Sequence, residues 1–381
     1  MENVHHPDFK LGVLGGGQLG RMLIQSAIDY NLFVKILDPD PNAPCREIAS
    51  EFVNGPLTDF DVVTEFGKDC NVITIEIENV NTQALKELQK QGKKVYPEPE
   101  TIELIQDKRV QKQFYIDNGI PTANFSLVNS KQEVQLAKDR LPFVNKLGKE
   151  GYDGRGVQVI KTESDLENAF DAPGLIEDLV NFKKEIAVIV ARNESGEISS
   201  FPVVELVFHP TANLVEFLFS PAQISEQLIA RAQEVASMVI EKLGMTGLLA
   251  VEMFVTQEDE ILVNEIAPRT HNSGHHTIEA NNTSQFEQHL RAVLNMPLGE
   301  TSLKVPAAAM VNLLGEDGFA GPAKYEGLAE VLGISDTHIH LYGKKLTKPF
   351  RKMGHITLVD KDVESLRNKV NLVKNTLKII A

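Results

Sequence analysis

The chain has no tryptophan and only two cysteines, Cys45 and Cys70, in 381 residues. Two thiols exclude a disulfide framework and a cysteine-based zinc set, and they fit a reducing compartment. No apolar run approaches the roughly 20 residues of a membrane-spanning helix. The opening stretch MENVHHPDFK has neither the basic nor the apolar segment of a secretion signal, so a cytoplasmic protein is expected. Positive charge is scarce: 38 Lys and Arg against 53 Asp and Glu leave a net charge of −15. That argues against binding duplex nucleic acid, which needs a basic face, but leaves room for a local basic pocket that takes a small anion. What the chain does have, 42% hydrophobic and 24% charged residues, is ordinary for a globular protein. Its length calls for two or three domains.

Residues 10–100 alternate strand and helix signals. Lys10–Leu14 reads as a strand, 19–30 as a helix, 33–37 and 72–77 as strands, 83–91 as a helix and 94–96 as a short strand. That rhythm predicts a parallel sheet with helices on both faces. The segment PEPE at 97–100 marks a boundary, followed by one helix over 101–118. Beyond it strands and helices mix without a clean repeat. The clearest helix is 224–243, where Leu228, Ala232, Val235, Val239 and Leu243 recur at helical spacing before Gly244. A last helix runs over about 363–377.

The most informative segment is LLAVEMFVTQEDEILVNEIAPRTHNSG, residues 248–274. Two β-prone runs flank QEDE, which predicts a hairpin. A turn symmetric about Gln257–Glu260 places Thr256 opposite Ile261 and Glu252 opposite Glu265. Their Cβ atoms would then lie about 5 Å apart. Two opposed carboxylates destabilise each other unless a cation sits between them, and two carboxylates plus phosphate oxygens is a usual way to hold Mg²⁺. Upstream, residues 141–161 predict strand, glycine-rich loop and strand, with Lys146 placed as a point charge for phosphate oxygens. Gly15, Gly17 and Gly20 fit G-x-G-x-x-G between a strand and a helix, and Asp38 ends the next strand. Taken alone this is a dinucleotide fingerprint, but any anion can use the same turn, so the ligand stays open. Strict alternation in ITIEIENV puts Ile73, Ile75 and Ile77 on one face and Thr74, Glu76 and Glu78 on the other, near the end of a strand where ligands collect. The run 342–355 gathers Lys344, Lys345, Lys348, Arg351 and Lys352, a basic knot suited to a phosphate-bearing substrate.

Together these features resemble the ATP-grasp superfamily. More narrowly, GGGQLGRM, GYDGRG, NEIAPRTHNSGHHT with QFEQHLRAV, and RKMGHIT resemble the 5-(carboxyamino)imidazole ribonucleotide synthetase family of bacterial purine biosynthesis, over about residues 10–360. The resemblance implies mixed α/β and α+β architecture. A Rossmann-like domain over 1–100 would be followed by an ATP-grasp domain over 101–298 and a small mixed C-terminal domain over 299–381. It implies that ATP, with Mg²⁺, phosphorylates bicarbonate to carboxyphosphate, which carboxylates 5-aminoimidazole ribonucleotide. It also implies a homodimer.

By the same resemblance, nucleotide contacts fall to Lys108, Lys146, Gly151, Tyr152, Asp153, Gly154, Arg155, Gly156, Val157, Glu177, Val180, Glu185, His209, Asn264 and Glu265. Glu252 and Glu265 match the Mg²⁺ ligands. Arg269, His271 and Asn272 match the bicarbonate end and, with Asp153 and Arg155, the catalytic positions. Gln18, Leu19, Glu76, Tyr152, Lys344, Arg351 and Lys352 match positions around the ribonucleotide. Three departures stand out: Lys108 replaces the family's usual arginine, residues 147–150 replace a stretch richer in Arg and Thr, and Phe350 replaces a usual glycine. Competing readings are a formate-dependent glycinamide ribonucleotide transformylase, a non-catalytic nucleotide sensor, and a nicotinamide-linked oxidoreductase that leaves Lys146, Glu252 and Glu265 without a role.

Overall fold

The computed structural model describes residues 4, 6–149, 156–212 and 214–381. Five parallel strands open the chain: β1 (Lys10–Leu14), β2 (Phe33–Asp38), β3 (Glu51–Asn54), β4 (Val72–Ile75) and β5 (Lys94–Val95), in the order β3-β2-β1-β4-β5. The helices α1 (Gln18–Asp29), α2 (Phe60–Gly67) and α3 (Thr82–Lys90) connect them, as the βαβ rhythm predicts. All four residues of β4 are buried. A central parallel strand is covered on both faces, so the expected alternation fails here. β4 ends at Ile75, Thr74 is buried against His289, and Ile77 is exposed beyond the sheet.

The helix expected over 101–118 is two helices, α4 (Pro99–Gln106) and α5 (Lys108–Asp117). Asp107 breaks them: its backbone is extended, and its carboxylate accepts the Arg109 N–H and pairs with the Arg109 guanidinium. The break makes Lys108 the first residue of α5. Ile102 of α4 packs in the N-terminal core with Leu85 and Leu88.

A four-stranded antiparallel sheet follows, β6 (Phe125–Val128), β7 (Phe143–Leu147), β8 (Val157–Ile160) and β9 (Gly174–Asp178), in the order β6-β9-β7-β8. Most of the remaining strands build a nine-stranded antiparallel sheet. Its strands are β10 (Phe182–Arg192), β11 (Ile198–Ser200), β12 (Val204–Phe208), β13 (Val215–Ser220), β14 (Gly247–Thr256), β15 (Ile261–Ala267), β16 (Ala307–Leu314), β17 (Thr337–Leu341) and β18 (Lys352–Asp360). They run β15-β14-β10-β12-β13-β16-β18-β17, with β11 beside β10. The C-terminal strands therefore extend the central sheet through the β13–β16 pairing.

Three further helices cover this sheet: α6 (Glu226–Leu243), α7 (Gln285–Val293) and α8 (Val363–Thr376). Ser225 caps α6 by accepting the Leu228 N–H, and Gly244 ends it at φ +62°, a left-handed stop that glycine adopts without strain. Leu228, Ala232, Val235 and Val239 bury its inner face against β10 and β14. Phe286, Leu290 and Val293 of α7 join the N-terminal core beside Leu19 and Leu23, tying that helix to the parallel-sheet domain. No helix among the described residues is long and apolar enough to cross a membrane.

Candidate active site

The β14–β15 hairpin faces Glu252 with Glu265, as expected, but by a different route. The turn is one residue tighter than a symmetric one: Val255, not Thr256, pairs with Ile261, and Asp259 turns the chain at φ +65°. A β-bulge between Glu252 and Met253 then restores the register, with Asn264 as the extra residue. A bulge re-aims side chains locally. Here Asn264 and Glu265, adjacent in sequence, both engage lysines: Asn264 Oδ1 accepts from Lys146 Nζ at 3.0 Å and Glu265 Oε2 from Lys108 Nζ at 3.0 Å.

Lys146 on β7 also meets Glu177 of β9 at 2.6 Å. The other oxygen of Glu177 lies 2.6 Å from Lys112 Nζ. Burial alone would raise the Glu177 pKa, but the two lysines outweigh it and hold the carboxyl below its usual range. Burial pushes the Lys112 ammonium down to about 8 against the pull of Glu177. Lys112 carries no sequence motif of its own. The available signal is its spacing, since Lys108 and Lys112 are one helical turn apart and share a face of α5.

The hairpin carboxylates are unequal. Burial and the charge of Glu265 push Glu252 up, whereas Lys108 draws Glu265 down. Glu185 on β10 is raised to about 7, by burial first and by Glu265 second. Among the described residues no group of three or more His, Cys, Asp or Glu side chains can hold a metal by itself. The opposed pair, with one carboxylate kept ionised, is suited to Mg²⁺ only when phosphate oxygens complete the shell.

The loop after β15 supplies the rest. Arg269 Nε lies 2.9 Å from Glu78 Oε1. His271 Nε2 lies 3.7 Å from Glu252 Oε1, and its Nδ1 accepts the Ser273 N–H at 3.3 Å. That bond places the proton of a neutral ring on Nε2, facing Glu252. Asn272 exchanges reciprocal amide bonds of 2.8 and 2.9 Å with Asn312 of β16. Asn312, a polar residue within the apolar strand AAAMVNLL, is another site residue that motif reading misses.

Gly156, at φ +73°, leads into β8, whose first residue, Val157, lies opposite Lys146. Val180 lies half-buried in the link between β9 and β10. Gly151, Tyr152, Asp153, Gly154 and Arg155 lie outside the described residues. His209 follows β12, takes the Thr211 and Ala212 N–H groups on Nδ1, and meets the Phe350 ring edge-on at 5.4 Å. His209, Phe350 and Asn312 line one cavity of about 300 Å³. In the basic knot, Lys344 Nζ donates to the Lys352 carbonyl at 2.8 Å and Arg351 Nη1 to the Leu346 carbonyl at 2.8 Å. The Lys352 ammonium acts on Glu252, so the knot approaches the hairpin carboxylates. Phe350 adopts φ +60°, which explains a glycine preference at this position.

The glycine turn is filled from within. Glu76 accepts the N–H of Leu19 at 3.1 Å, at the start of α1 beside Gln18. A Cβ on Gly17 would fall 2.5 Å from Glu76 Oε1, and one on Gly15 2.9 Å from Oε2. Asp38 takes the Gly16 N–H at 2.6 Å. These glycines make room for a carboxylate of the same chain, and the helix terminus that would bind a dinucleotide pyrophosphate holds Glu76.

A parallel-sheet domain, a small antiparallel sheet bearing the buried Lys146, and a long sheet bearing two opposed carboxylates define an ATP-grasp enzyme. Residues 113–286 match the ATP-grasp domain, 9–106 the ribonucleotide synthetase preATP-grasp domain, and 308–369 the phosphoribosylaminoimidazole carboxylase C-terminal domain. The N5-carboxyaminoimidazole ribonucleotide synthetase of Thermotoga maritima superposes with a TM-score of 0.91 at 44% identity, over 98% of this chain and 99% of that one. The Aspergillus clavatus enzyme, solved with ADP and 5-aminoimidazole ribonucleotide, gives a TM-score of 0.88 at 34% identity, over 97% and 98%. The chloroplastic phosphoribosylaminoimidazole carboxylase of Vigna aconitifolia is 40% identical over 95% of this chain, which spans 66% of that protein's length. The chain belongs to the N5-carboxyaminoimidazole ribonucleotide synthetase family of ATP-dependent ligases.

Proposed function

We propose that the protein uses ATP to carboxylate 5-aminoimidazole ribonucleotide with bicarbonate, giving N5-carboxyaminoimidazole ribonucleotide, ADP and phosphate in purine biosynthesis. The observation that carries this reading is the opposed Glu252/Glu265 pair flanked by Lys108 and Lys146. Phosphoryl transfer needs alignment and charge neutralisation more than covalent help from the protein. Lys146 leaves Glu177 and Asn264 to bind phosphate oxygens, and Lys108 balances Glu265. Glu252 and Glu265 hold Mg²⁺, which supplies the Lewis acidity that neutralises charge developing on the transferred phosphoryl group. Glu177, Val180, Glu185 and His209 border the nucleotide, and residues 151–157 supply contacts to its phosphates.

Arg269, His271 and Asn272, with Asp153 and Arg155, hold bicarbonate for attack on the γ-phosphate. The resulting carboxyphosphate delivers CO₂ to the exocyclic amine of the ribonucleotide. That intermediate hydrolyses readily, so exclusion of water from the site is part of the function. Gln18, Leu19, Glu76 and Tyr152 border the ribonucleotide, and Lys344, Arg351 and Lys352 take its 5′-phosphate. The protein works in the cytoplasm as a homodimer. ADP release measured with each substrate omitted in turn tests the reaction. Release that requires both bicarbonate and 5-aminoimidazole ribonucleotide is expected, and release independent of either refutes the assignment. Sedimentation of the intact protein tests the dimer.

A further inference from the structure

We infer that Gln285 is a positioning residue for the bicarbonate end of the site, holding the backbone of His271 so that its imidazole meets Glu252. The inference rests on the assignment of His271 to that end. Gln285 is fully buried as the first residue of α7. Its Oε1 accepts the His271 N–H at 2.9 Å, and its Nε2 donates to the His271 carbonyl at 2.7 Å. One side-chain amide thus satisfies both backbone groups of one residue, as a neighbouring strand would. A carboxamide offers a donor and an acceptor on one carbon at every pH, whereas an ionised carboxylate offers acceptors alone. The second Nε2 hydrogen faces His275 Nδ1 at 3.2 Å. Burial holds the His275 pKa well below the usual histidine range, so that nitrogen is free to accept.

The surroundings fit the same role. The Gln285 N–H donates to Thr277 Oγ1 at 2.8 Å, and that hydroxyl donates to the Gly274 carbonyl at 2.6 Å. A Cβ on Gly274 would collide with Gln285 Oε1, so the loop is shaped around the amide. α7 itself is packed into the N-terminal core through Phe286, Leu290 and Val293. The loop is therefore held from three sides: Glu78 on Arg269, Gln285 on His271 and Asn312 on Asn272. A side chain of the helix that carries the parallel-sheet domain sets where His271 Nε2 lies.

Gln285→Glu separates this role from simple packing. An ionised carboxylate accepts but cannot donate, so it repels the His271 carbonyl. A protonated carboxyl restores one donor and one acceptor in the same shape. At pH 8 the bicarbonate KM of Gln285→Glu is expected to rise at least tenfold, recover as the pH falls and the introduced carboxyl protonates, and leave the ATP KM within twofold. Gln285→Met, similar in size and without hydrogen bonds, is expected to lose bicarbonate affinity at every pH. His271→Asn serves as the reference. If it raises the bicarbonate KM while both folded Gln285 variants keep the wild-type value, the clamp is wrong. If His271→Asn leaves that KM unchanged, the assignment of the bicarbonate end fails, and the role of Gln285 with it. Loss of melting temperature with unchanged bicarbonate KM and no acid recovery reduces Gln285 to a packing residue.

Discussion

The glycine turn at the start of α1 and the β14–β15 hairpin both look in sequence like places where charge meets a ligand, yet they differ in how far the chain satisfies them. At the turn, Glu76 and Asp38 take backbone N–H groups, and Gly15 and Gly17 make room for a carboxylate already present. At the hairpin, two carboxylates oppose each other, Lys108 answers one of them, and the other is pushed toward protonation. A terminus whose partners come from within is structure first. A pair that remains in conflict is suited to a cation, and buried like charges persist only where something else compensates them.

Neutralising one carboxylate at the hairpin breaks the comparison most severely. Glu265→Gln is expected to lower kcat by on the order of 10³, a loss of several kcal/mol of phosphoryl-transfer stabilisation. Its nucleotide-free melting temperature is expected to fall slightly, because Lys108 loses its partner. Glu252→Gln should lose activity as well but not stability. The folded pKa of Glu252 is raised, so this group subtracts stability as the pH climbs from the ordinary glutamate value through the folded one. Glu252→Gln removes that part of the slope, which thermal unfolding across pH 4–9 reads directly. Near wild-type turnover by folded Glu265→Gln removes the metal assignment.

The basic knot gives the next largest effect. Charge-assisted contacts to phosphate are worth roughly 1.5–3 kcal/mol each. Arg351→Ala is expected to raise the ribonucleotide KM by about one to two orders of magnitude, at 1.4 kcal/mol per decade, while the ATP KM stays near wild type. The reverse pattern means the two phosphate sites are exchanged.

Glu76→Ala tests the satisfied side of the comparison. It strips α1 of an N-terminal acceptor, and unfolding in urea is expected to show a loss of about 1–3 kcal/mol. NAD⁺ should give the wild-type protein no thermal shift, whereas ADP with Mg²⁺ at 100 times its dissociation constant should add about 2.7 kcal/mol. A comparable shift with NAD⁺ would falsify the internal filling of the turn. The smallest effect belongs to Phe350→Gly. It relieves a left-handed backbone worth about 1 kcal/mol but loses the ring contact with His209, so a net change under about 1 kcal/mol is expected from the denaturation midpoint.

How much of this was legible in the sequence follows from the range of each interaction. The Glu252/Glu265 opposition and the helix stop at Gly244 depend on neighbours within one hairpin or one turn, and the residue pattern carries them. The tighter turn and the bulge at Asn264 cancel in register, so the correct pairing emerges from a symmetric turn that does not exist. The alternation read into 72–77 fails because a parallel strand buries both faces. Lys112, Asn312 and Gln285 stay hidden, since each acts on a partner brought close only by folding: Glu177, Asn272 and His271. The break at Asp107 falls between. Its capping chemistry is local, but an aspartate inside a helical pattern is too common to mark a boundary.

The pairing of β13 with β16 has a mechanical consequence. Because the Glu252/Glu265 hairpin and the basic C-terminal strands share one hydrogen-bonded sheet, they form a single anvil that cannot part without breaking backbone ladders. The four-stranded sheet carrying Lys146 is a separate sheet, and the side-chain bond from Lys146 to Asn264 reaches across from it to the anvil. The junction at Lys146–Asn264 is thus a polar contact for which an incoming anion can compete directly, as it could not at a junction of packed apolar side chains.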